Sequence, residues 1–375
     1  MLEFEFRLKK FEEFIPKIQG KRIVLYGTGM NAKKVIEEYP QLQIVGVMEK
    51  LVTDPYIFGK KNLNIEDLIT LKVDAVVIAS QIRNLREIYN RICLFCHANH
   101  IAVYDMYGND LFELFYKLED HLCSLCQRNV EILQREIDEH DIISIDLFQT
   151  VFNAKVGFKE RIWWRIAKEY ATFISSPMEF VDTRKRVETK FLQREKNNQL
   201  NDIYAEIGAS LKLTGEQTDL LLEKEKQYVI QGLIVDDRMI EILGQAKKNG
   251  KTIWAMSDLY FSEEEIQKFL EKHHISSFDK IISAKDLGCM KHTGFFRAVD
   301  GENRKWLHIG EDEITDGLCP LVNGVDIFLL KKADSLRKTS DYYEIFQQIQ
   351  KWYEGGKVND IIKYGSDSLY ESIAR

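Results

Sequence analysis

The stretch Ile142-Ile143-Ser144-Ile145-Asp146 constrains this chain more than any other. A short apolar run rich in β-branched residues, preceded by Glu139-His140-Asp141, reads as a buried strand. It delivers Asp146 at its carboxyl end and Thr150 four positions later. In open α/β sheets that end of the strands is where ligands bind. A carboxylate there can act as a nucleophile or help to hold a magnesium ion. An Asp before a turn is ordinary on its own, so the signals that follow it decide what it means.

After Thr150 the pattern turns helical. Phe158, Ile162, Ile166 and Tyr170 recur every four residues, and further helical stretches cover 178–195, 199–212 and 215–231. An all-helical insertion directly after a first strand has the character of a cap over an active site. A strand returns at Lys251 to Met256 and ends in Ser257-Asp258. Ser262 then caps a helix whose first turn is acidic, Glu263-Glu264-Glu265. Next come a short strand, Lys280 to Ser283, and a loop carrying Lys291. Trp306-Leu307-His308-Ile309 finally enters the acidic run Gly310-Glu311-Asp312-Glu313-Ile314-Thr315-Asp316.

The N-terminal third has a different organisation. Residues 1–20 form an amphipathic pattern through Phe4, Leu8, Phe11 and Ile15. Strand-like Lys21 to Tyr26 leads into Gly27-Thr28-Gly29-Met30-Asn31-Ala32, a G-x-G-x-x-A turn before a helix, as in dinucleotide-binding folds. A second strand ends in Glu49, where such folds carry an acid for the ribose. With strands at Asp74 to Ser80 and Ile101 to Tyr104, this makes a small Rossmann-like parallel sheet domain over 1–108 with its leading helix. Gly27, Gly29 and Glu49 are candidates to bind a nucleotide or nucleotide-sugar; equally, the glycines could serve only the turn and Glu49 could be a solvated strand end. A second mononucleotide half and a catalytic domain, which a nicotinamide-dependent enzyme would also need, are not visible. Residues 109–140 read as a helical linker, 141–332 as a second α/β domain with its helical insertion at about 153–235, and 333–375 as a helical tail with Tyr342, Phe346, Ile349 and Trp352 on one face.

Composition excludes some classes. A net charge of −7 argues against a nucleic-acid binder, whose footprint is a basic patch. No window approaches the roughly 20 apolar residues of a membrane span, and the charged first residues lack a leader's apolar core, so a cytoplasmic protein is expected. Cys93/Cys96 and Cys123/Cys126 form two C-x-x-C pairs, with His97 and His100 nearby. Two such pairs can hold zinc, but both sit in helix-like sequence, where cysteines three apart act as small core residues.

Asp at one strand end, Ser at the next, Lys from a loop and an acidic cluster at the fourth: over 140–332 this order resembles the haloacid dehalogenase (HAD)-like hydrolase superfamily. Ser257-Asp258-Leu259-Tyr260 is similar to the second motif of its members in bacterial polysaccharide-biosynthesis clusters. Lys291-His292-Thr293-Gly294-Phe295-Phe296 looks like their Lys-x-x-Gly-x-(Leu/Phe) element, and His308-Ile309-Gly310-Glu311 like their His-Ile-Gly-Asp. The resemblance implies a phosphohydrolase acting on a small phosphorylated substrate in sugar-phosphate or surface-polysaccharide metabolism, with enzymes of such a pathway as partners. Asp146 would be the nucleophile, Ser257 would bond a phosphate oxygen, and Lys291 would offset the negative charge, with Thr150 beside them. Asp146, the Phe148 carbonyl and an acid from Glu311, Asp312 or Asp316 would hold Mg2+.

Two positions depart from that pattern. Phosphatases of the superfamily carry a second Asp two residues after the nucleophile, as general acid and base; here the residue is Phe148. Glu311 also replaces the usual Asp. The sequence is therefore compatible with a hydrolase for activated leaving groups, a slow phosphatase, or an inactive HAD-like binding or scaffold protein.

Overall fold

The computed structural model describes residues 2–52, 54–123, 130–153, 158–192, 200–301 and 304–330. The expected C-terminal helix through Tyr342 and Trp352, and Cys126, lie outside these residues. Two parallel sheets dominate what is described.

The first sheet contains β1 (Arg22–Tyr26), β2 (Gln43–Met48), β3 (Ala75–Ile78) and β4 (Ala102–Asp105), in the order β2-β1-β3-β4 with all neighbours parallel. Helices α1 (Leu2–Ile18) and α2 (Met30–Glu38) cover one face. The buried stripe of α1 runs through Phe11, Phe14 and Ile18, which leaves the expected Ile15 only partly buried. The other face packs on α3 (Ile82–Ala98) through Leu85, Ile88, Ile92 and Cys96. Cys96 is a core residue whose thiol burial pushes up to about 12, while the half-buried Cys93 donates to the Asn90 carbonyl. Of this pair, Cys96 serves helix packing.

The region expected as a linker holds α4 (Leu111–Cys123) and α5 (Val130–Glu139). Helix α4 does more than connect. Leu114, Phe115 and Leu118 share one apolar cluster with Val76 and Ile78 of the first sheet and with Ile327 and Leu329 of the second.

The second sheet contains β5 (Ile142–Asp146), β6 (Thr252–Ser257), β7 (Lys280–Ser283), β8 (Trp306–Gly310) and β9 (Asp326–Leu329). Their order is β7-β6-β5-β8-β9, again all parallel. Every residue of β5 is buried, because a central parallel strand is covered on both faces, and this is why its sequence is a continuous apolar run. The chain moves outward from β5 to β6 and β7, then returns to the other side of β5 with β8. That reversal makes a topological switch point at the carboxyl edge beside β5, where ligands bind in open α/β sheets. Asp146 pairs with Met256 and Ile145 with Ile309, so Asp146, Ser257 and Gly310 all end at that edge.

Between β5 and β6 lie α6 (Phe158–Glu169), α7 (Pro177–Leu192), α8 (Leu200–Leu211) and α9 (Gly215–Gln231), followed by α10 (Asp237–Lys248). A two-residue antiparallel pairing of Phe152–Asn153 with Ile234–Val235 closes the base of this insertion. Thr214 and Gln217 form a capping box at the start of α9. Inside the insertion Arg184 meets Glu225 through two bonds, at 3.0 and 2.7 Å, and the Tyr204 hydroxyl donates to Glu225 at 2.6 Å. Helix α11 (Glu263–Lys272) opens on the Ser262–Glu265 capping box, and Lys226 of α9 pairs with Glu265 at 3.0 Å. Among the described residues no helix is long and apolar enough to cross a membrane.

Candidate active site

Asp146 is buried at the end of β5, and its Oδ1 accepts from Lys291 Nζ at 2.5 Å. The same ammonium donates to Asp316 Oδ1 at 2.6 Å. Lys291 opens a single 3-10 turn, Lys291–Thr293, and is fully buried. Asp316 comes from the π-helical turn Glu313–Leu318 that follows β8. Its Oδ2 accepts the Glu311 and Asp312 amides, each at 3.0 Å, which folds the side chain back over the strand end. A Cβ on Gly310 would lie 2.3 Å from Asp316 Cγ, so this position requires glycine. Thr150 Oγ1 donates to Glu311 Oε2 at 3.0 Å and so ties the turn after β5 to the acidic run after β8.

Asp146, Glu311 and Asp316 can each bring one carboxylate oxygen within 4.8 Å of the others. Asp312, expected as an alternative ligand, is outside that group of three; its Oδ1 accepts the Ile314 and Thr315 amides and caps the π turn.

Burial works to strip the Lys291 proton, but Asp146 and Asp316 outweigh it and hold the ammonium charged. Burial works to raise Asp316 too, yet Lys291 and the His308 bond keep its carboxyl well below the usual range. Asp146 is pushed well above its ordinary value, by burial first and also by Asp316 and Glu311, despite Lys291. Asp146 and Asp316 thus share the Lys291 ammonium, with the Glu311 carboxylate close by. An all-oxygen donor set suits a hard divalent cation such as magnesium. Burial first, then Asp316 and Glu311, raise Asp146, and added positive charge would favour its ionised form.

Ser257 is fully buried at the end of β6, and its Oγ accepts the Leu259 amide at 3.2 Å. Phe148 is half-buried; its ring stacks on Phe261 at 5.8 Å and tilts against Phe152 at 6.2 Å. It forms an apolar wall two residues beyond Asp146.

Sequence reasoning gave Asp258 no role of its own. Its Oδ1 accepts the Lys291 amide at 2.9 Å and so fixes the lysine turn, while burial, opposed by the Lys291 charge, pushes its carboxyl up to about 6. Its place beside Ser257 was the available signal.

Gly27, Gly29 and Glu49 belong to the first sheet and are not brought to the Asp146 group. Gly27 has φ 129°, and a Cβ there would lie 3.0 Å from the Ala79 carbonyl oxygen, so it allows the β1 turn to approach the end of β3. Gly29 is the N-cap of α2. The Glu49 carboxylate accepts from Asn62 Nδ2 at 2.7 Å and Thr28 Oγ1 at 3.4 Å. These bonds fasten the glycine turn to the following segment.

No protein-family model matches the chain, and no curated protein sequence matches it. Among solved structures, a HAD family enzyme from Bacteroides thetaiotaomicron, in complex with magnesium and inorganic phosphate, aligns at 14% identity and a TM-score of 0.37, over 55% of this chain and 99% of its own. A hydrolase from Streptococcus pneumoniae TIGR4 aligns at 14% identity and a TM-score of 0.31, over 53% of this chain and 97% of its own.

Proposed function

We propose that this chain is a magnesium-dependent phosphohydrolase of the haloacid dehalogenase type, with Asp146 as nucleophile and the helices between 158 and 231 as a cap. The carrying observation is the group Asp146, Lys291, Glu311 and Asp316, in which three carboxylates and one ammonium meet at the carboxyl ends of β5 and β8. Asp146, Glu311, Asp316 and the Phe148 carbonyl would hold the metal. When bound, magnesium neutralises charge on the carboxylates and on the phosphoryl oxygens.

The chain's own groups then divide the work. Asp146 attacks phosphorus, and as the P–O bond to the leaving group breaks an aspartyl phosphate forms. The Leu259 amide occupies one lone pair of Ser257 and leaves its O–H to donate to a phosphate oxygen. Lys291 opposes the burial that raises the Asp146 carboxyl and offsets the charge gathered around it. Water next cleaves the aspartyl phosphate, releasing inorganic phosphate and restoring Asp146. Phe148 can neither protonate the leaving oxygen nor activate that water, a loss of roughly 10²–10⁴-fold.

The substrate class is therefore a small phosphate ester or anhydride whose leaving group departs readily as an anion, within sugar-phosphate or surface-polysaccharide metabolism. The test is a magnesium-dependent screen of aryl, acyl and sugar phosphates with wild type and Phe148→Asp. Wild type should prefer aryl and acyl phosphates, and Phe148→Asp should raise turnover of sugar phosphates by up to ~10²-fold. No turnover of any phosphate by either protein would overturn the proposal. One observation favours a second reading, a non-catalytic binding protein on the same fold: the Phe148 ring is packed against Phe261 and Phe152 as an apolar wall.

A further inference from the structure

Behind the acidic group runs a chain of buried polar side chains with no place in the chemistry above. Trp306 Nε1 lies 2.7 Å from Ser144 Oγ. Ser144 Oγ lies 2.8 Å from His308 Nδ1, and His308 Nε2 lies 3.2 Å from Asp316 Oδ1. Ser144 and His308 are fully buried and face each other across β5 and β8; Trp306 lies two residues before His308 and therefore on the same side of the sheet. An apolar sheet core has little reason to keep three polar side chains unless each is satisfied.

The donors can be assigned in order. An indole N–H only donates, so Ser144 Oγ must accept it. The hydroxyl hydrogen then has two acceptors in reach, His308 Nδ1 at 2.8 Å and the Leu307 carbonyl at 3.5 Å, and the shorter contact takes it. Nδ1 is thereby an acceptor, so in the neutral ring the proton sits on Nε2. That N–H points at Asp316. The other tautomer would set a nitrogen lone pair against a carboxylate in a site closed to water.

We propose that Trp306 and Ser144 are positioning residues that hold His308 as its Nε2–H tautomer, so that His308 donates to Asp316 and orients this carboxylate for a cation. The orienting role rests on the metal site proposed above; the tautomer does not. Lys291 and His308 both donate to Oδ1 of Asp316, while Oδ2 accepts two amides. His308 is thus one of four donors that fix the carboxylate plane. Residues that hold a metal ligand in this way typically change metal affinity 10–100-fold when lost.

Two measurements on the full chain test this. Nitrogen-15 NMR of the histidine rings in the metal-free protein should show His308 with unprotonated Nδ1 and protonated Nε2; a protonated Nδ1 would overturn the inference. Magnesium titrations followed by calorimetry should then compare His308→Leu, His308→Gln and Ser144→Ala. His308→Leu should lose at least ~10-fold in affinity and Ser144→Ala roughly 10-fold, whereas His308→Gln, whose amide can still donate to Asp316, should stay within a few-fold of wild type. Equal loss in the Gln and Leu variants would reduce His308 to a packing residue and overturn the orienting role. A wild type that binds no magnesium would overturn that role together with the metal site, while the ring spectrum would still decide the tautomer.

Discussion

The Lys291 ammonium lies 2.5 Å from the Asp146 carboxylate, and the lysine is fully buried. Removing one partner of a buried ion pair leaves the other charge uncompensated, at a cost of roughly 3–5 kcal/mol. Here the loss falls on two carboxylates, because Asp316 shares the same ammonium at 2.6 Å. Lys291→Met is expected to lower unfolding free energy by about that amount in chelator, and magnesium should restore part of it by supplying the missing positive charge. Urea unfolding with and without magnesium measures both. A variant as stable as wild type in chelator would contradict the assigned ion pair.

Arg184 and Glu225 form a second buried pair, inside the helical insertion and remote in sequence from the Asp146 group. Arg184 also lies over the Trp163 ring at 4.7 Å, and the Tyr260 hydroxyl reaches Glu225 at 3.5 Å from the loop after Ser257. Arg184→Met alone should destabilise by roughly 3–5 kcal/mol, since Glu225 would be left buried without its cation. The double variant Arg184→Met/Glu225→Leu should recover most of that loss. Thermal and urea unfolding of the three proteins would show it; a double variant no better than Arg184→Met would mean that packing, not charge, sets the cost.

Acid should weaken the join between the helical insertion and the sheet. Partial burial works to raise the Glu265 carboxyl, but the Ser262 amide, Lys226 and Lys285 outweigh it and hold it at about 2, below the ordinary 4.5. A depressed carboxylate contributes stability above its unfolded value, and that contribution is lost as pH falls from about 4.5 towards 2. Asp258, pushed up to about 6, acts with the opposite sign and at higher pH, since its protonation favours the folded state. Between pH 5 and 3 the Glu265→Gln variant should therefore lose less stability than wild type. Parallel declines in melting temperature would refute the assignment.

Legibility in the sequence follows the range of the interaction. Ile142 to Asp146 is readable as a strand because burial on both faces demands a continuous apolar run. Ser262 is readable as a cap because the bond it makes is three residues away. Gly310, by contrast, is explained only by the Asp316 side chain folding back on it, and the capping role of Asp312 shows only once the π turn behind it is known. Helix α4 reads as a connector because periodicity shows that it has an apolar face but not that both sheets pack against it. Ser144 and Trp306 carry no local signal: a Ser within an apolar strand and a Trp at the start of another acquire meaning only through the β5–β8 register.

The most direct test of the account is beryllium fluoride binding, which mimics an aspartyl phosphate and requires an ionised Asp146 with magnesium beside it. Fluorine NMR of the full chain with magnesium and beryllium fluoride should show protein-bound fluorine signals. They should vanish in Asp146→Asn and on removal of magnesium. A wild type with no bound signal at any magnesium concentration would contradict a phosphoryl-accepting Asp146, and the non-catalytic binding reading would take its place.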